Sequence, residues 1–261
     1  MITSAANPNV KRLRSLRDSP RERRDERSVF LEGVRLVAHA LASGAELRFA
    51  IYAVEPLQAT PEGQALLNEL VGRPEVFEAS PAVLASAADT QHPQGVVAAC
   101  AWPELEPRSG LRLVLDGIQD PGNLGTLLRS AEAAGVGLLL CTRGSADLYN
   151  PKVLRGAMGA HFNLPVRADL TWEEIGVELG MCPVVYAADS EAGMPYYAAD
   201  WKQPVALIVG SEVHGVSDEG FGYATHRIAI PMLGRAESLN AAVAGSVILF
   251  ESLRQRTRGR T

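Results

Sequence analysis

The most informative part of the chain is Ile228-Ala-Ile-Pro-Met-Leu-Gly-Arg-Ala-Glu-Ser-Leu-Asn-Ala-Ala-Val-Ala-Gly245. Its apolar start predicts a short β-strand that ends before Pro231, because proline lacks the N–H group that a sheet needs. Gly234 permits a tight turn, and Ser238 or Asn240 can cap the helix that follows. The small side chains at the start of this helix let a ligand, or a second copy of the protein, approach its backbone. The stretch therefore predicts a strand, turn and helix that form part of a pocket.

The composition indicates a globular protein. The chain has 261 residues, of which 47% are hydrophobic and 21% charged, enough for one large or two modest domains. We expect a soluble cytoplasmic protein, since no secretory signal is visible and no apolar run approaches the roughly 18 residues that span a membrane. The net charge of −5 means that any contact with nucleic acid must be local. Cys100, Cys141 and Cys182 lack zinc-site spacing, so we predict buried free thiols and no metal.

The first 27 residues depart most from the average charge, with eight basic residues against four acidic ones. One interpretation is a solvated helix with internal ion pairs, and the other is a surface that follows an RNA backbone. Under the second interpretation, the predicted RNA contacts are Lys11, Arg12, Arg14, Arg21 and Arg24. A second candidate contact is the C-terminal tail, with Arg254, Arg256, Arg258 and Arg260.

Strand-like and helix-like segments alternate along the rest of the chain. Residues 28–101 follow a βαβ order. Residues 102–110 have prolines and no periodicity, which predicts a linker between a domain of residues 1–101 and a domain of residues 111–261. The alternation in the second domain implies a parallel sheet with helices on both faces, and hence an α/β fold. The strands predicted there are 111–115, 136–141, 164–166, 184–188, 205–209 and 228–230, with helices from 123 or 126 to 134, at 151–158, at 172–179 and after 240.

Ligands of such sheets bind beyond the carboxyl ends of the strands, where three turns of this sequence fall. These turns begin at Gly117, Gly210 and Pro231. The fingerprints of dinucleotide-binding and P-loop folds, zinc metalloproteases and α/β-hydrolases are missing from the sequence. What remains are the three turns of similar construction, with polar residues in and after them.

Most of these polar residues also have a structural interpretation. Asn123, Ser238 and Asn240 can cap helices, and Glu212 can accept hydrogen bonds from its own turn. Arg129 is expected on nearly the same helix face as Asn123. A cation early in a helix opposes the helix dipole, so a structural role for Arg129 would need an acidic partner.

Three segments of the chain together carry a family resemblance. They are Asn123-Leu-Gly-Thr-Leu-Leu-Arg129, Gly210-Ser-Glu-Val-His-Gly215 and Ile230-Pro-Met-Leu-Gly-Arg-Ala-Glu-Ser-Leu-Asn240. In this order they resemble the three motifs of the SpoU (TrmH-type) RNA ribose 2′-O-methyltransferases of the SPOUT superfamily. The N-terminal part, with Phe30-Leu-Glu-Gly33 and Pro93-Gln-Gly-Val-Val-Ala98, is similar to the substrate-binding domain fused ahead of that catalytic domain. The resemblance implies a parallel-sheet α/β domain with a deep C-terminal trefoil knot, preceded by a smaller α/β domain like ribosomal protein L30e.

The resemblance also implies an activity, which is methyl transfer from S-adenosylmethionine to a ribose 2′-hydroxyl of structured RNA, with rRNA favoured over tRNA. It implies that the cofactor lies in the knot, in contact with Gly210, Ile230, Pro231, Met232 and Leu239. It implies a polar active site of Asn123, Arg129, Glu212, Ser238 and Asn240. Members of the family pair through the knotted domain, so we also expect a homodimer in which Arg129 of one subunit lies near the cofactor of the other.

Two alternatives stay open, an RNA-binding module without catalysis and a base methyltransferase of the same superfamily. Two roles for Arg129 are also compatible with the sequence. The family implies that Arg129 is the base, although removing a proton from a guanidinium near neutral pH costs about 7 kcal/mol. A guanidinium that binds the adjacent phosphate and stabilises the developing alkoxide requires less of the protein.

Overall fold

The computed structural model describes residues 1–235 and 238–258, and the chain divides into two compact units. The first unit comprises Met1–Glu104 and Tyr149–Phe162, and the second comprises Leu105–Leu148 and Asn163–Thr261. The predicted boundary at residues 102–110 places residues 149–162 in the second domain, whereas in the structure they belong to the first unit. Their helical pattern continues the alternation of strands and helices in the second domain. The periodicity of the sequence therefore gives no indication that these residues belong to the first unit.

The first unit contains a four-stranded sheet with the order β1-β4-β2-β3. Strand β4 is antiparallel to both β1 and β2, whereas β2 and β3 are parallel. The βαβ order of the sequence therefore does not make β1 and β2 neighbours, because β4 lies between them. The strands are β1 (Ser28–Glu32), β2 (Leu47–Tyr52), β3 (Val76–Glu78) and β4 (Val96–Ala101). The helices are α1 (Pro8–Asp18), α2 (Pro20–Glu26), α3 (Val34–Ala42), α4 (Val54–Gln58), α5 (Pro61–Leu70) and α6 (Pro81–Ala87).

The second unit contains a six-stranded sheet in which every pair of neighbours is parallel, as predicted. The strand order is β10-β8-β9-β5-β6-β7. Its central strands are almost wholly buried, which explains their continuous apolar runs. The strands are β5 (Arg112–Asp116), β6 (Leu138–Thr142), β7 (Val166–Leu170), β8 (Val184–Ala188), β9 (Val205–Gly210) and β10 (His226–Ile228). The helices that follow along the chain are α7 (Pro121–Ala133), α8 (Pro151–Gly156, in the first unit), α9 (Trp172–Leu179), α10 (Asp218–Tyr223) and α11 (Ala241–Thr257).

Several predicted boundaries shift in the second unit. Strand β10 ends at Ile228, two residues earlier than predicted, and Ala229 forms only an isolated bridge with Pro195. Helix α7 begins at Pro121, because the side chain of Asp120 accepts a hydrogen bond from the N–H group of Asn123 and caps the helix. The prediction that α7 begins at residue 123 or 126 was therefore wrong. The short helices α4 and α10 had not been predicted, and β7 shares only Val166 with the predicted strand 164–166.

Helix α11 packs its small residues against α7 of the same chain. A Cβ atom on Gly245 would lie 2.5 Å from Cδ2 of Leu127, and the hydroxyl groups of Ser130 and Ser246 are 2.8 Å apart. Gly245 and Ser246 thus admit a neighbouring helix of the same chain. None of the helices in the described parts of the chain has both the length and the apolar character needed to cross a membrane.

We expect Gly245→Val to lower the free energy of unfolding by about 1–3 kcal/mol, because the new side chain must displace Leu127 from the interface between α7 and α11. The measurement is urea unfolding followed by circular dichroism. Gly222→Ala is the control, since no atom lies within 4 Å of a Cβ added there. Equal stability of Gly245→Val and wild type would contradict the tight packing of the two helices.

Candidate active site

A cleft of about 450 Å³ lies at the carboxyl edge of the six-stranded sheet. The ends of β8, β9 and β10 open into it, and the first turns of α11 form another wall. Both apolar and polar residues line the cleft. The apolar lining includes Val209, Ile228, Ile230, Ala241, Ala244 and Ile248. The position agrees with the expectation that ligands bind beyond the carboxyl ends of parallel strands.

The turn after β9 is closed by its own backbone. The N–H group of Ser211 donates to the carbonyl oxygen of Gly215 (3.0 Å), and the reverse hydrogen bond is 2.9 Å. A Cβ atom on Gly210 would lie 2.0 Å from the carbonyl carbon of Gly215, so only glycine fits at position 210. The buried carboxylate of Asp116, at the end of β5, accepts a hydrogen bond from the N–H group of Ser217 (2.7 Å) and anchors the far side of this turn.

Three polar side chains form a hydrogen-bonded chain at one end of the cleft. The side-chain oxygen of Asn240 accepts hydrogen bonds from the N–H groups of Ala242 (3.0 Å) and Val243 (3.2 Å), and so caps α11. The amide nitrogen of Asn240 donates to the side-chain oxygen of Asn123 (3.0 Å). The amide nitrogen of Asn123 then donates to a carboxylate oxygen of Glu212. We call these three side chains the amide network (Asn240, Asn123 and Glu212).

The structure brings most of the predicted site residues to this cleft. Of the predicted cofactor contacts, Gly210, Ile230, Met232 and Leu239 line it, whereas Pro231 does not. Of the predicted polar residues, Glu212 and Ser238 line the cleft, and Asn123 and Asn240 reach it through the amide network. Ser238 does not cap α11, because Asn240 does.

Arg129 is separate from this group. Six residues after Asn123, it lies about 120° away around the helix, so the expectation that both share a face was wrong. The Arg129 side chain is exposed, and within residues 1–235 and 238–258 it forms no hydrogen bond or ion pair. The acidic partner that a structural role would require is therefore missing from the described part of the chain.

Other charged residues of the cleft were not predicted. Asp189 follows β8, and Arg227 lies on β10 with its guanidinium carbon 3.9 Å from the centroid of the Phe221 ring. Arg227 also forms an ion pair with Asp189 at 3.5 Å, and Glu191 lines the cleft nearby. Asp189 could have been predicted as a cleft residue, because it comes directly after a correctly predicted strand and so lies at the carboxyl end of β8.

The basic N-terminal segment is mostly bound to its own unit. Arg12 pairs with Glu26 at 2.6 Å and Arg21 pairs with Asp25 at 3.3 Å, while Arg14 donates to the carbonyl oxygen of Ser86 at 2.8 Å. Helix α1 also buries three apolar side chains in the core, namely Val10, Leu13 and Leu16. Two of the five predicted RNA contacts, Lys11 and Arg24, are exposed and make no hydrogen bond or ion pair in the part of the chain that is described.

The C-terminal arginines are also engaged within their unit. Arg254 pairs with Glu251 at 2.6 Å. Arg256 donates to the carbonyl oxygen of Ala134 at 2.7 Å, and burial lowers the pKa of its guanidinium. Arg260 lies outside the described residues. Cys100 and Cys141 are buried free thiols as predicted, whereas Cys182 is a free thiol that is only half-buried. Burial raises the pKa of Cys100 and of Cys141 to about 12, so both stay protonated at neutral pH.

We expect Asn240→Ala to lower the free energy of unfolding by about 0.5–2 kcal/mol, because two N–H groups of α11 lose their cap. Asn240→Asp is the matched control, because it keeps the capping oxygen. We expect it to lose less than half as much free energy of unfolding as Asn240→Ala. Urea unfolding of both variants measures the difference. Equal losses for the two variants would show that capping is not what Asn240 contributes.

Comparison with known protein families identifies both parts of the chain. The model of the SpoU rRNA Methylase family matches residues 110–250, and the model of the MRM3-like substrate binding domain matches residues 7–98. The first match covers the three turns and the amide network.

Individual relatives match along almost the whole length. An uncharacterised tRNA/rRNA methyltransferase of Synechocystis is 34% identical over 98% of this chain and 94% of its own. The 23S rRNA (guanosine(2553)-2′-O)-methyltransferase RlmP of Bacillus subtilis is 32% identical over 95% of this chain and 97% of its own. The crystal structure of an AdoMet-bound rRNA methyltransferase from Sinorhizobium meliloti superposes with a TM-score of 0.83 at 30% identity, covering 97% of each chain.

Proposed function

The chain belongs to the SpoU rRNA methylase family, and from this membership we propose that it transfers a methyl group from S-adenosylmethionine to a ribose 2′-hydroxyl of rRNA. The observation that carries the proposal is the cleft at the strand ends, where the residues of three separate turns meet. A relative named as a 23S rRNA 2′-O-methyltransferase supports the substrate and the reaction.

The cleft suits S-adenosylmethionine in size and in lining. Small-molecule sites have volumes of about 300–1,000 Å³, and the cleft of about 450 Å³ lies within this range and has both apolar and polar lining residues. Gly210, Ile230, Met232 and Leu239 would hold the cofactor. When bound, S-adenosylmethionine supplies a methyl group on a positively charged sulfur. No side chain could be added at Gly210, because the backbone of Gly215 fills the space beside it.

The remaining work falls to the protein's own side chains. Because sulfur leaves as a neutral thioether, no acid is needed, and the protein must align the ribose oxygen with the methyl group and handle the hydroxyl proton. The amide network holds Glu212 at the cleft. Arg129, which has no partner among the described residues, would bind the phosphate next to the reacting ribose and stabilise negative charge on the oxygen.

A methyl group on the ribose oxygen blocks alkaline cleavage at that nucleotide, and this provides the test of the function. After incubation with S-adenosylmethionine and rRNA, we expect one missing band in an alkaline cleavage ladder. Methyl incorporation with a complete ladder would indicate a base methyltransferase. Cofactor binding without any incorporation would indicate an RNA-binding module, which the intact set Asn123, Arg129, Glu212, Ser238 and Asn240 argues against.

The first unit is proposed to hold the RNA. Its match to a substrate binding domain supports this role, and Lys11 and Arg24 are the basic residues of the N-terminal segment that stay available among those predicted. Removing the whole segment would be a poor test, because α1 contributes to the core. A trefoil knot, an L30e-like first domain and a cytoplasmic location stay predictions, and a relative that acts on 23S rRNA supports the last of them.

A homodimer is supported by an apolar stripe on α11. Val243 and Phe250 are 49% and 48% exposed, and half-buried Val247 lies between them at helical spacing. Arg129 in helix α7 is exposed, has no partner among the described residues and does not line the cleft of its own chain, which supports a shared site.

We expect wild-type protein to bind S-adenosylmethionine with micromolar affinity and Gly210→Val to abolish this binding, because the turn from residue 210 to residue 215 must open. Isothermal titration calorimetry measures both. Gly193→Val is the control, since a Cβ atom at this exposed position meets no atom within 4 Å. Unchanged affinity in Gly210→Val would place the cofactor elsewhere.

We expect the double variant Lys11→Ala/Arg24→Ala to bind rRNA more weakly. Loss of two phosphate contacts should reduce the slope of log affinity against log salt concentration by about 1.4–1.8. Arg48→Ala/Arg73→Ala is the matched control, because it removes the same charge from residues paired with Glu46 and Glu69. Filter-binding titrations at several salt concentrations measure the slopes. Identical slopes for both double variants would show that Lys11 and Arg24 are only solvated.

We expect Arg129→Ala and Asn240→Ala each to be inactive alone. Mixed and reassembled, they should regain about a quarter of the wild-type activity, because half of the dimers are mixed and each holds one intact site. Methyl incorporation into rRNA measures the recovery. A monomer in sedimentation would contradict the dimer, and a dimer without recovery would place Arg129 in the site of its own subunit.

A further inference from the structure

The direction of every hydrogen bond in the amide network is fixed by the backbone of α11. Backbone N–H groups can only donate, so the side-chain atom of Asn240 that faces Ala242 and Val243 must be its oxygen. The other end of that amide, which faces Asn123, must then be the NH₂ group. The same reasoning makes the group of Asn123 that faces Glu212 an NH₂ donor. The helix terminus therefore determines the orientation of both amides.

The consequence reaches Glu212. Its oxygen facing Asn123 must accept a hydrogen bond, so the carboxylate is held in one orientation. Glu212 is exposed at the rim of the cleft, and its second oxygen has no partner in the described part of the chain. An oriented carboxylate with one free oxygen is thus presented to whatever enters the cleft beside the cofactor.

We propose that Glu212 accepts the proton of the ribose 2′-hydroxyl, and that Asn240 and Asn123 are positioning residues that hold its carboxylate ready for this step. The proposal rests on the proposed function and adds a chemical role to one residue of that site. It leaves Arg129 protonated, as the partner of the neighbouring phosphate. This division avoids the cost of about 7 kcal/mol for removing a proton from a guanidinium near neutral pH, whereas carboxylates are ionised there.

The step balances with the groups at hand. The ribose oxygen forms a bond to the methyl carbon while the bond between that carbon and sulfur breaks, and the electron pair of the broken bond stays on sulfur as a neutral thioether. The hydroxyl proton passes to the free oxygen of Glu212. Because Glu212 is exposed, the proton then leaves to water and the carboxylate is restored. A positioned base contributes about 10²- to 10⁴-fold to such a rate.

Other titratable groups border Glu212 and define the controls. His214 lies on the same turn, and Asp120 caps α7 at the end that carries Asn123. Asp189, Glu191 and Arg227 lie in the same cleft, and Arg235 follows in the loop before α11. Helix α11 has no charged residue in its first turn. The experiment must therefore attribute a pH dependence to Glu212 by changing its immediate partner.

The first test is Glu212→Gln, which keeps the oxygen that faces Asn123 and removes the charge. We expect kcat for methyl transfer to fall by about 100-fold or more, with the Kd for S-adenosylmethionine, measured by calorimetry, within threefold of wild type. Glu219→Gln, an exposed carboxylate of α10 outside the cleft, is the control and should match wild type. A Glu212→Gln protein with kcat within fivefold of wild type would overturn the proposal. So would a Kd raised more than tenfold, because Glu212 would then be a cofactor contact.

The second test changes the partner instead of the base. Asn123→Asp keeps an oxygen for Asn240 but places a second carboxylate beside Glu212, which makes ionisation of the pair harder. We expect the acid limb of the profile of kcat/KM against pH to move upward by about one pH unit or more, and to be missing in Glu212→Gln. An acid limb that stays in place in Asn123→Asp would overturn the proposal, since a purely structural Asn123 would not move it.

The activity of the wild-type protein distinguishes a failure of the proposed function from a failure of the role of Glu212. If wild-type protein forms no 2′-O-methyl product with any rRNA, the proposed function fails and this role falls with it. If wild-type protein is active and Glu212→Gln is equally active, only the role of Glu212 is wrong.

Discussion

The carbonyl carbon of Gly215 lies so close to Gly210 that an added Cβ atom would be only 2.0 Å away. This close approach forces the chain after β9 to fold back on itself, and paired hydrogen bonds between Ser211 and Gly215 close the turn. The turn carries Glu212 toward α7 and leaves the ends of the apolar strands open as a cleft. Without the glycine at position 210, neither the carboxylate nor the cleft would have its present position.

The second determinant of the site is the N-terminus of α11. A helix terminus leaves N–H groups without intrahelical partners, and Asn240 satisfies two of them with one oxygen. The amide nitrogen of the same side chain donates a hydrogen bond to Asn123, so the residue that caps α11 also orients a polar side chain at the cleft. Capping and active-site roles are thus compatible for Asn240, although in the sequence they look like competing interpretations.

The sequence predicted the parallel sheet and most of the cleft, because continuous apolar strands and glycine turns are local signals. Gly210, Glu212 and Asn240 could be assigned for that reason, together with their resemblance to known motifs. It could not predict that residues 149–162 join the first unit, or that Arg12, Arg14 and Arg21 bind within their own unit. Those features depend on contacts between residues far apart in the chain, which periodicity and composition do not contain. The cap of α7 at Asp120 was a local signal in the sequence, but the prediction began the helix at a later capping residue, Asn123 or Thr126.

The most direct measurement is a crystal structure of the protein with S-adenosylhomocysteine, the demethylated product of the cofactor, and a short rRNA fragment. We expect the product in the cleft between the turn from residue 210 to residue 215 and the start of α11. The ribose 2′-oxygen should then lie within about 3.2 Å of the free oxygen of Glu212, the distance of a hydrogen bond. A ligand bound outside this cleft, or a base atom in place of the ribose oxygen beside Glu212, would contradict this expectation.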